Sequence, residues 1–406
     1  MAEIKTIKTD VVVIGAGIAG LWLANILKNN GINFVLLETD AIGANQTINS
    51  QGMLHSGIKY ALQGNVTGDM KAISDSEALH LWEQAFLDQS SIKLTENCKL
   101  IDHQYLWSNN QLTSKLANFF VSNLLKSKVE KVAPEHLPVP FINKHFNGSV
   151  YKLHETVLNL SVLLQELTAP IYQYCLQVNN INLELEVNNN KINKFFIDVN
   201  GERFLLNSQQ YIFTAGEGIQ KISSLLKDGP KMQVRPLHMV AVKGKFLPML
   251  YGHNIGLQSK PIITISSHKT TRDQVVWYCG GQIAEDGVNK SSTEQLAAFK
   301  ELLNSIFPWL DFNDPDYAWG SFNINRAEHL QPNGKKPDNA TWFALNNVIF
   351  AWPTKLVLAP AMANDIFGSL QKNLSLNLQD KSSNVNVDFL GKLPKPMIAK
   401  PWWASL

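Results

Sequence analysis

After a short polar start, the chain enters an uninterrupted β-branched run, Val11-Val12-Val13-Ile14. A strand that is apolar at every position fits the centre of a parallel sheet buried on both faces. The apolar stretch from Leu21 to about Lys28 reads as a buried helix, stopped by Asn30-Gly31. Asn33-Phe34-Val35-Leu36-Leu37 reads as a second strand and ends at Glu38. From Gly64 to Leu100 the chain reads mostly helical, with Ala72, Leu79, Leu81, Trp82, Ala85 and Phe86 at mixed three- and four-residue spacing. Thr113 to Lys128 and Thr156 to Leu167 read as two further helices, and Pro134 to Pro140 as a loop. Between Ile181 and Phe213 the pattern changes to alternation. That predicts an antiparallel meander, with Asn188-Asn189-Asn190 and Asn200-Gly201 as hairpin turns. Beyond it, Val240-Ala241-Val242 and Val275-Val276-Trp277-Tyr278 are predicted strands, and Ser292 to Phe307 a helix.

The turn between the first strand and the first helix is Gly15-Ala16-Gly17-Ile18-Ala19-Gly20, a G-x-G-x-x-G. Gly15 permits the tight turn, Gly17 lets the backbone approach a pyrophosphate, and Gly20 lets the helix pack close to the strand. The helix start, with Ile18 and Ala19, offers backbone N–H groups and a positive dipole end to phosphates. Glu38 follows Gly20 by 18 residues, near the roughly 20 at which an acid accepts hydrogen bonds from a ribose. An acid there disfavours a 2′-phosphate and hence NADP. The competing reading is a glycine-rich turn in an unrelated α/β protein.

Lys and Arg number 36 and Asp and Glu 34, for a net charge of +2 over 406 residues. That balance lacks the clustered basic excess of a nucleic-acid binder. Cys98, Cys175 and Cys279 are far apart and form no CxxC, so neither a disulfide framework nor a metal site is indicated. Glu3, Lys5, Lys8 and Asp10 precede the first apolar run, unlike a secretory signal. The most apolar segment, Val11 to Leu27, is cut by Gly15, Gly17 and Gly20 and does not read as a membrane span. A soluble, cytoplasmic protein is expected, with peripheral membrane contact not expected and the oligomeric state open.

The segment from Gly43 to Tyr60, which includes Ser50-Gln51-Gly52-Met53-Leu54-His55-Ser56-Gly57, is rich in Gly and small polar residues around a central His. It resembles the second flavin-contacting stretch of the FAD-dependent D-amino-acid oxidase, glycine oxidase and glycerol-3-phosphate dehydrogenase group. NAD-dependent dehydrogenases share the first motif and lack this one. Tyr211-Ile212-Phe213-Thr214-Ala215-Gly216 is similar to the group's strand that ends in Ala-Gly and returns toward the FAD. Val178 is similar to the valine whose backbone lies by the adenine. Arg326 to Pro360 resembles the closing motif, with Pro337-Asp338 and Phe350-Ala351-Trp352-Pro353-Thr354-Lys355. Many members have a glycine-rich loop where this chain has Trp352-Pro353-Thr354-Lys355.

The resemblance implies FAD as cofactor and an α/β fold with a discontinuous, Rossmann-like FAD-binding domain over 1–90, 146–232 and 326–406. An α+β substrate domain with an antiparallel sheet is inserted at 91–145 and 233–325. It also implies FAD contacts at Gly15, Gly17, Ile18, Ala19, Gly20 and Glu38, and at Thr47, Ser50, Gln51 and Gly52. Further contacts fall at Val178, Ala215, Gly216, Pro353, Thr354 and Lys355.

A flavin performs the redox step itself, so the protein must orient the substrate and supply charge. The chain has four arginines, the side chain best suited to an anionic substrate group. Arg326, at the closing motif, is the main candidate, with an ion pair to Glu328 or another acid as its structural alternative. Arg235 and Arg272 are weaker candidates, and Arg203, in a hairpin, reads as a solvated charge. His55 lies in the flavin-contacting segment, where a neutral imidazole can accept a substrate proton. His238 is a weaker candidate. Lys355 is expected near the flavin ring, where a cation stabilises the anionic reduced form. Cys279 beside Gly280-Gly281 reads as a small buried residue, and the Trp402-Trp403 tail as packed onto the FAD domain. The expected function is removal of hydride from a CH–OH or CH–NH carbon of a small anionic molecule (a 2-hydroxy acid, an amino acid or a glycerol phosphate), with oxygen or a quinone as acceptor. The alternatives are a non-catalytic FAD-binding or assembly protein and an NAD-dependent dehydrogenase.

Overall fold

The computed structural model describes residues 4–55, 77–109, 129–178, 180–256, 261–373 and 387–406. β1 (Lys5–Ile14), α1 (Ile18–Asn29) and β2 (Phe34–Glu38) form the expected strand–helix–strand unit. Val11, Val13, Phe34 and Leu36 pack on the side of α1 and the Ala359–Asn373 helix. Val12, Ile14, Val35 and Leu37 face the opposite way, into a second core with Phe195, Ile197 and Phe204. Both faces of these strands are therefore dry, which is why their sequences do not alternate.

Parallel pairing runs from Val348–Trp352 through Glu202–Phe213, β1 and β2 to Cys175–Gln177. The Thr341–Leu345 strand adds an antiparallel edge. The predicted meander, Asn180–Asn188, Lys191–Val199 and Glu202–Phe213, extends this sheet. Its two-residue turns are Asn189-Asn190 (φ 49° and 60°) and Asn200-Gly201 (φ 51° and 78°). Positive φ at both central positions matches the right-handed twist of the flanking strands, and Asn and Gly tolerate it best.

The second eight-stranded sheet begins with Ala318–His329, Met232–Gly244, Val275–Gly280 and Ile263–Lys269, each antiparallel to the next. It continues through Gly252–Asn254, Gln104–Ser108, Ser149–Leu153 and Val129–Lys131. The Ser292–Ile306 helix packs on it, and its start is closed by the reciprocal capping box of Ser291 and Glu294.

Three expectations shift. The helix predicted from Thr156 begins at Leu160, because Val157–Leu158 pairs as a strand with Lys99–Ile101 and Asn159 takes the cap. The helix predicted as far as Leu100 is described over 77–86 and stops before Asp88, which has φ 61°. Its part before residue 77 and the helix predicted at Thr113 to Lys128 lie outside the described residues. The tail touches the parallel-sheet half through the Ile42–Ile398 bridge. Its tryptophans instead pack on the second sheet, Trp403 stacking on Tyr278 at 4.2 Å and Trp402 on Phe322 at 5.6 Å. Among the described residues no helix is long and apolar enough to cross a membrane.

Gly20 is where α1 meets β1: a Cβ there would lie 2.0 Å from the Gly15 carbonyl oxygen. Gly20→Ala is therefore expected to lower the unfolding free energy by about 1–3 kcal/mol through forced separation of helix and strand. Chemical denaturation measures this, and a variant as stable as the parent would refute the close packing.

Candidate active site

A cavity of about 780 Å³ opens where the parallel strands end. Gly15, Gly17, Ile18 and Ala19 line it after β1, and Glu38 after β2. Ala215 and Gly216 follow the Glu202–Phe213 strand, and Pro353, Thr354 and Lys355 follow Val348–Trp352. The carboxyl ends of parallel strands are where open α/β sheets bind ligands, because helix N-termini and irregular turns converge there. Gly17 caps α1 without a side-chain bond and the first turn has no acid, which leaves the dipole and the N–H groups not taken by Thr47 for an anion.

Gly15 has φ 102°, and a Cβ on it would lie 2.7 Å from the Ala215 Cα. The two loops thus abut, and the Thr214 hydroxyl ties them by donating to the Gly15 carbonyl at 2.8 Å. Glu38 accepts the Ala16 N–H at 2.7 Å and those of Thr39 and Asp40 at 2.8 and 3.0 Å. Thr47 accepts the Ile18 N–H at 3.0 Å. Ser50 and Gln51 also line the cavity. Val178 does not: its side chain is buried, and its N–H donates to the Glu38 carbonyl at 2.9 Å.

The closing loop is strained. Thr354 has φ 60°, and the Lys355 N–H reaches back to the Pro353 carbonyl at 2.5 Å, a tight γ-turn centred on a β-branched residue. The Thr354 hydroxyl donates to the Asn339 carbonyl at 3.1 Å, which helps hold the turn. Threonine here takes a backbone conformation that glycine adopts without cost.

A second cavity of about 300 Å³ adjoins the first and shares Ser50, Gln51, Arg326, Thr354 and Lys355 with it. Gly52 and His55 line it. Gln51 joins the two halves of the fold, its amide donating to the Thr264 and Tyr278 carbonyls at 3.0 and 2.9 Å. Arg235 and Arg326 face each other directly in the antiparallel register of their strands. Arg235 makes a bidentate pair with the fully buried Glu328, at 2.7 and 2.8 Å. Arg326 donates to the Arg235 carbonyl at 3.2 Å and to Glu285 at 3.3 Å. Burial, then the charge of Arg235, lowers the pKa of Arg326 from its usual value. The acid that pairs with Arg326 is thus Glu285, because Glu328 is taken by Arg235.

The other candidates fall elsewhere. His238 is buried, with its ring nitrogens 3.0 Å from the Gly287 carbonyl and the Ser321 hydroxyl. Arg272 is exposed in a turn, and Arg203 lies over the Phe196 ring. Cys279 is buried, and burial pushes its thiol pKa far up, which suits a packed side chain and not a nucleophile. Glu285 and Lys336 on the second cavity were not foreseen, nor was Lys221 on the first. The pairing that assembles the charges joins strands 91 residues apart and has no local signature.

The DAO family profile, described as FAD dependent oxidoreductase, matches residues 10–346. The chain belongs to this family. A probable FAD-dependent oxidoreductase of Pseudomonas aeruginosa is 34% identical over 401 residues, 98% of each chain. The crystal structure of an FAD dependent oxidoreductase from the same organism superposes with TM-score 0.78 at 28% identity, covering 100% of this chain and 99% of that one. Glycine oxidase from Geobacillus kaustophilus shares the fold at TM-score 0.59 and 13% identity, over 94% and 99% of the two chains. Glycerol-3-phosphate dehydrogenase from Bacillus halodurans, solved with FAD, does so at TM-score 0.55 and 14% identity, over 91% of this chain and 66% of that one.

The enzyme is thus an FAD-dependent oxidoreductase, and the first cavity has groups that fit FAD: a helix start with no acid in its first turn, Gly15 where a Cβ would strike the neighbouring loop, and a carboxylate at the next strand end. Glu38→Ala is expected to weaken FAD binding about tenfold to a hundredfold, since hydrogen bonds to a charged group are each worth about 1.5–3 kcal/mol. Titration of the apoprotein, followed by flavin fluorescence, measures it. Unchanged affinity would limit Glu38 to stiffening the turn.

Proposed function

We propose that this enzyme oxidises a CH–OH or CH–NH carbon of a small anionic molecule, of the 2-hydroxy acid, amino acid or glycerol phosphate type, in the second cavity. Electrons then pass to oxygen or a quinone. The observation that carries this reading is the second cavity itself, which joins the first and holds Arg326 and His55 on its wall. FAD, when bound, supplies the acceptor for the hydride that leaves the substrate carbon.

The side chains around it divide the remaining work. Arg326 receives the anionic group, because its contact with Glu285 is long at 3.3 Å, and Glu285 is partly exposed and also lies 3.8 Å from Arg235. Arg235 stays with Glu328 and supports Arg326 from behind. His55, in its neutral form, takes the proton from the substrate hydroxyl or ammonium. Leu237 and Met239 line both cavities and keep their junction dry, which strengthens every charge interaction there. Lys355, at the same junction, would hold negative charge at the ring end of the cofactor.

Arg326→Ala is expected to lower the apparent second-order constant for flavin reduction by about a hundredfold, mainly through substrate affinity. His55→Ala is expected to slow the saturated reduction step by about 100-fold or more. Anaerobic stopped-flow spectroscopy separates the two effects. Parent-like reduction in both variants would place the substrate elsewhere.

A further inference from the structure

The segment that brings His55 to the second cavity runs antiparallel to the strip that precedes the Leu160–Thr168 helix. Met53 and Val157 form a bridge, flanked by bonds from the Leu54 N–H to the Thr156 carbonyl at 3.0 Å and from the Leu158 N–H to the Gly52 carbonyl at 2.8 Å. This hydrogen-bond pattern makes Met53 and Val157 a non-hydrogen-bonded pair, the kind whose side chains approach most closely. Two residues along the same register, His55 stands opposite Glu155 on the same face.

The Glu155 carboxylate is buried, with relative exposure of 4%. Its Oε2 lies 3.6 Å from His55 Nδ1, within ion-pair reach. An ionised carboxylate is costly to bury unless a positive or hydrogen-bonding partner meets it. His253 packs beside the imidazole, with ring centroids 5.1 Å apart and planes tilted by 49°. Its own nitrogens are engaged by Thr264 Oγ1 at 2.8 Å and Gln104 Oε1 at 3.2 Å. The Gln104 amide donates to the Leu54 carbonyl at 3.0 Å, next to His55. The His55 ring thus has an anion near one nitrogen, a second imidazole tilted beside it, and the cavity.

We propose that Glu155 is a positioning residue for the oxidation. It holds the proton of neutral His55 on Nδ1, turns Nε2 toward the cavity as the proton acceptor, and stabilises the imidazolium once the proton has moved. The proton that leaves the substrate hydroxyl or ammonium ends on Nε2, and Glu155 stays ionised throughout. The proposal rests on the reading of His55 as that acceptor.

Among the described residues, the charged and titratable groups placed around His55 are Glu155 and His253, with Arg235, Arg326, Lys336, Lys355 and Glu285 on the same cavity. The cations disfavour imidazolium, and Glu155 favours it. Removing the Glu155 charge therefore moves protonation of His55 to lower pH, and with it the ascending limb of the pH profile for flavin reduction.

The test is NMR of the FAD-loaded enzyme labelled with 15N-histidine, the His55 signals being assigned with His55→Ala. In the unaltered enzyme at high pH, neutral His55 should carry its proton on Nδ1; a proton on Nε2 overturns the proposal without any variant. In Glu155→Gln, the His55 midpoint should fall by about one pH unit, and Glu155→Asp should recover part of that fall. An unchanged midpoint in an FAD-loaded Gln variant also overturns it. His55→Ala with full flavin-reduction rates would instead remove the acceptor reading and leave the His55–Glu155 coupling standing.

Discussion

Two arginines directly opposite one another on neighbouring strands are an unfavourable arrangement, and the wall of the second cavity is organised around neutralising it. Arg235 and Arg326 share one rung of the antiparallel ladder, where like charges repel. Glu328, fully buried, cancels Arg235 through two short bonds. Glu285, from a short helix, answers Arg326 through one long bond. The asymmetry matters. A buried bidentate pair is rigid, because breaking it leaves a charge with no water to take its place. A single 3.3 Å contact to a partly exposed acid is readily exchanged for a better anion. The same rung therefore yields one arginine locked in a buried pair and one that, on the proposed reading, is available to substrate.

The rest of the molecule positions that rung. Parallel strands buried on both faces deliver four loops to one edge, where the larger cavity forms. The antiparallel sheet brings the arginine rung to the mouth of that cavity. Gln51 bonds across to two carbonyls of the second sheet, so the segment that lines the larger cavity also fixes the distance between the two halves.

Much of this was legible in the chain. Strand–glycine turn–helix–strand–acid is a local pattern, and each part has a steric or electrostatic reason that does not depend on distant residues. The Asn-rich hairpins were legible for the same reason, since positive φ narrows the choice of residue at a two-residue turn. Pairings across long separations were not. Nothing near Arg326 distinguishes Glu285 from Glu328 as its partner, because that choice is made by strand register and by which carboxylate lies deeper. Glu155 was overlooked for a related reason: it meets His55 through two short bridging strips 100 residues apart. Thr354 marks the opposite case, in which the expected glycine is absent and tertiary contacts hold a threonine in the conformation a glycine would take.

The central claim is that an anionic group on Arg326 orients the carbon that is oxidised. Anaerobic bleaching of the enzyme-bound flavin by matched pairs, each a 2-hydroxy acid or an amino acid beside its neutral amide, tests it most directly. The account predicts saturable reduction by at least one acid, with an apparent second-order constant about tenfold or more above that of its amide. Equal or faster reduction by the amides would contradict it.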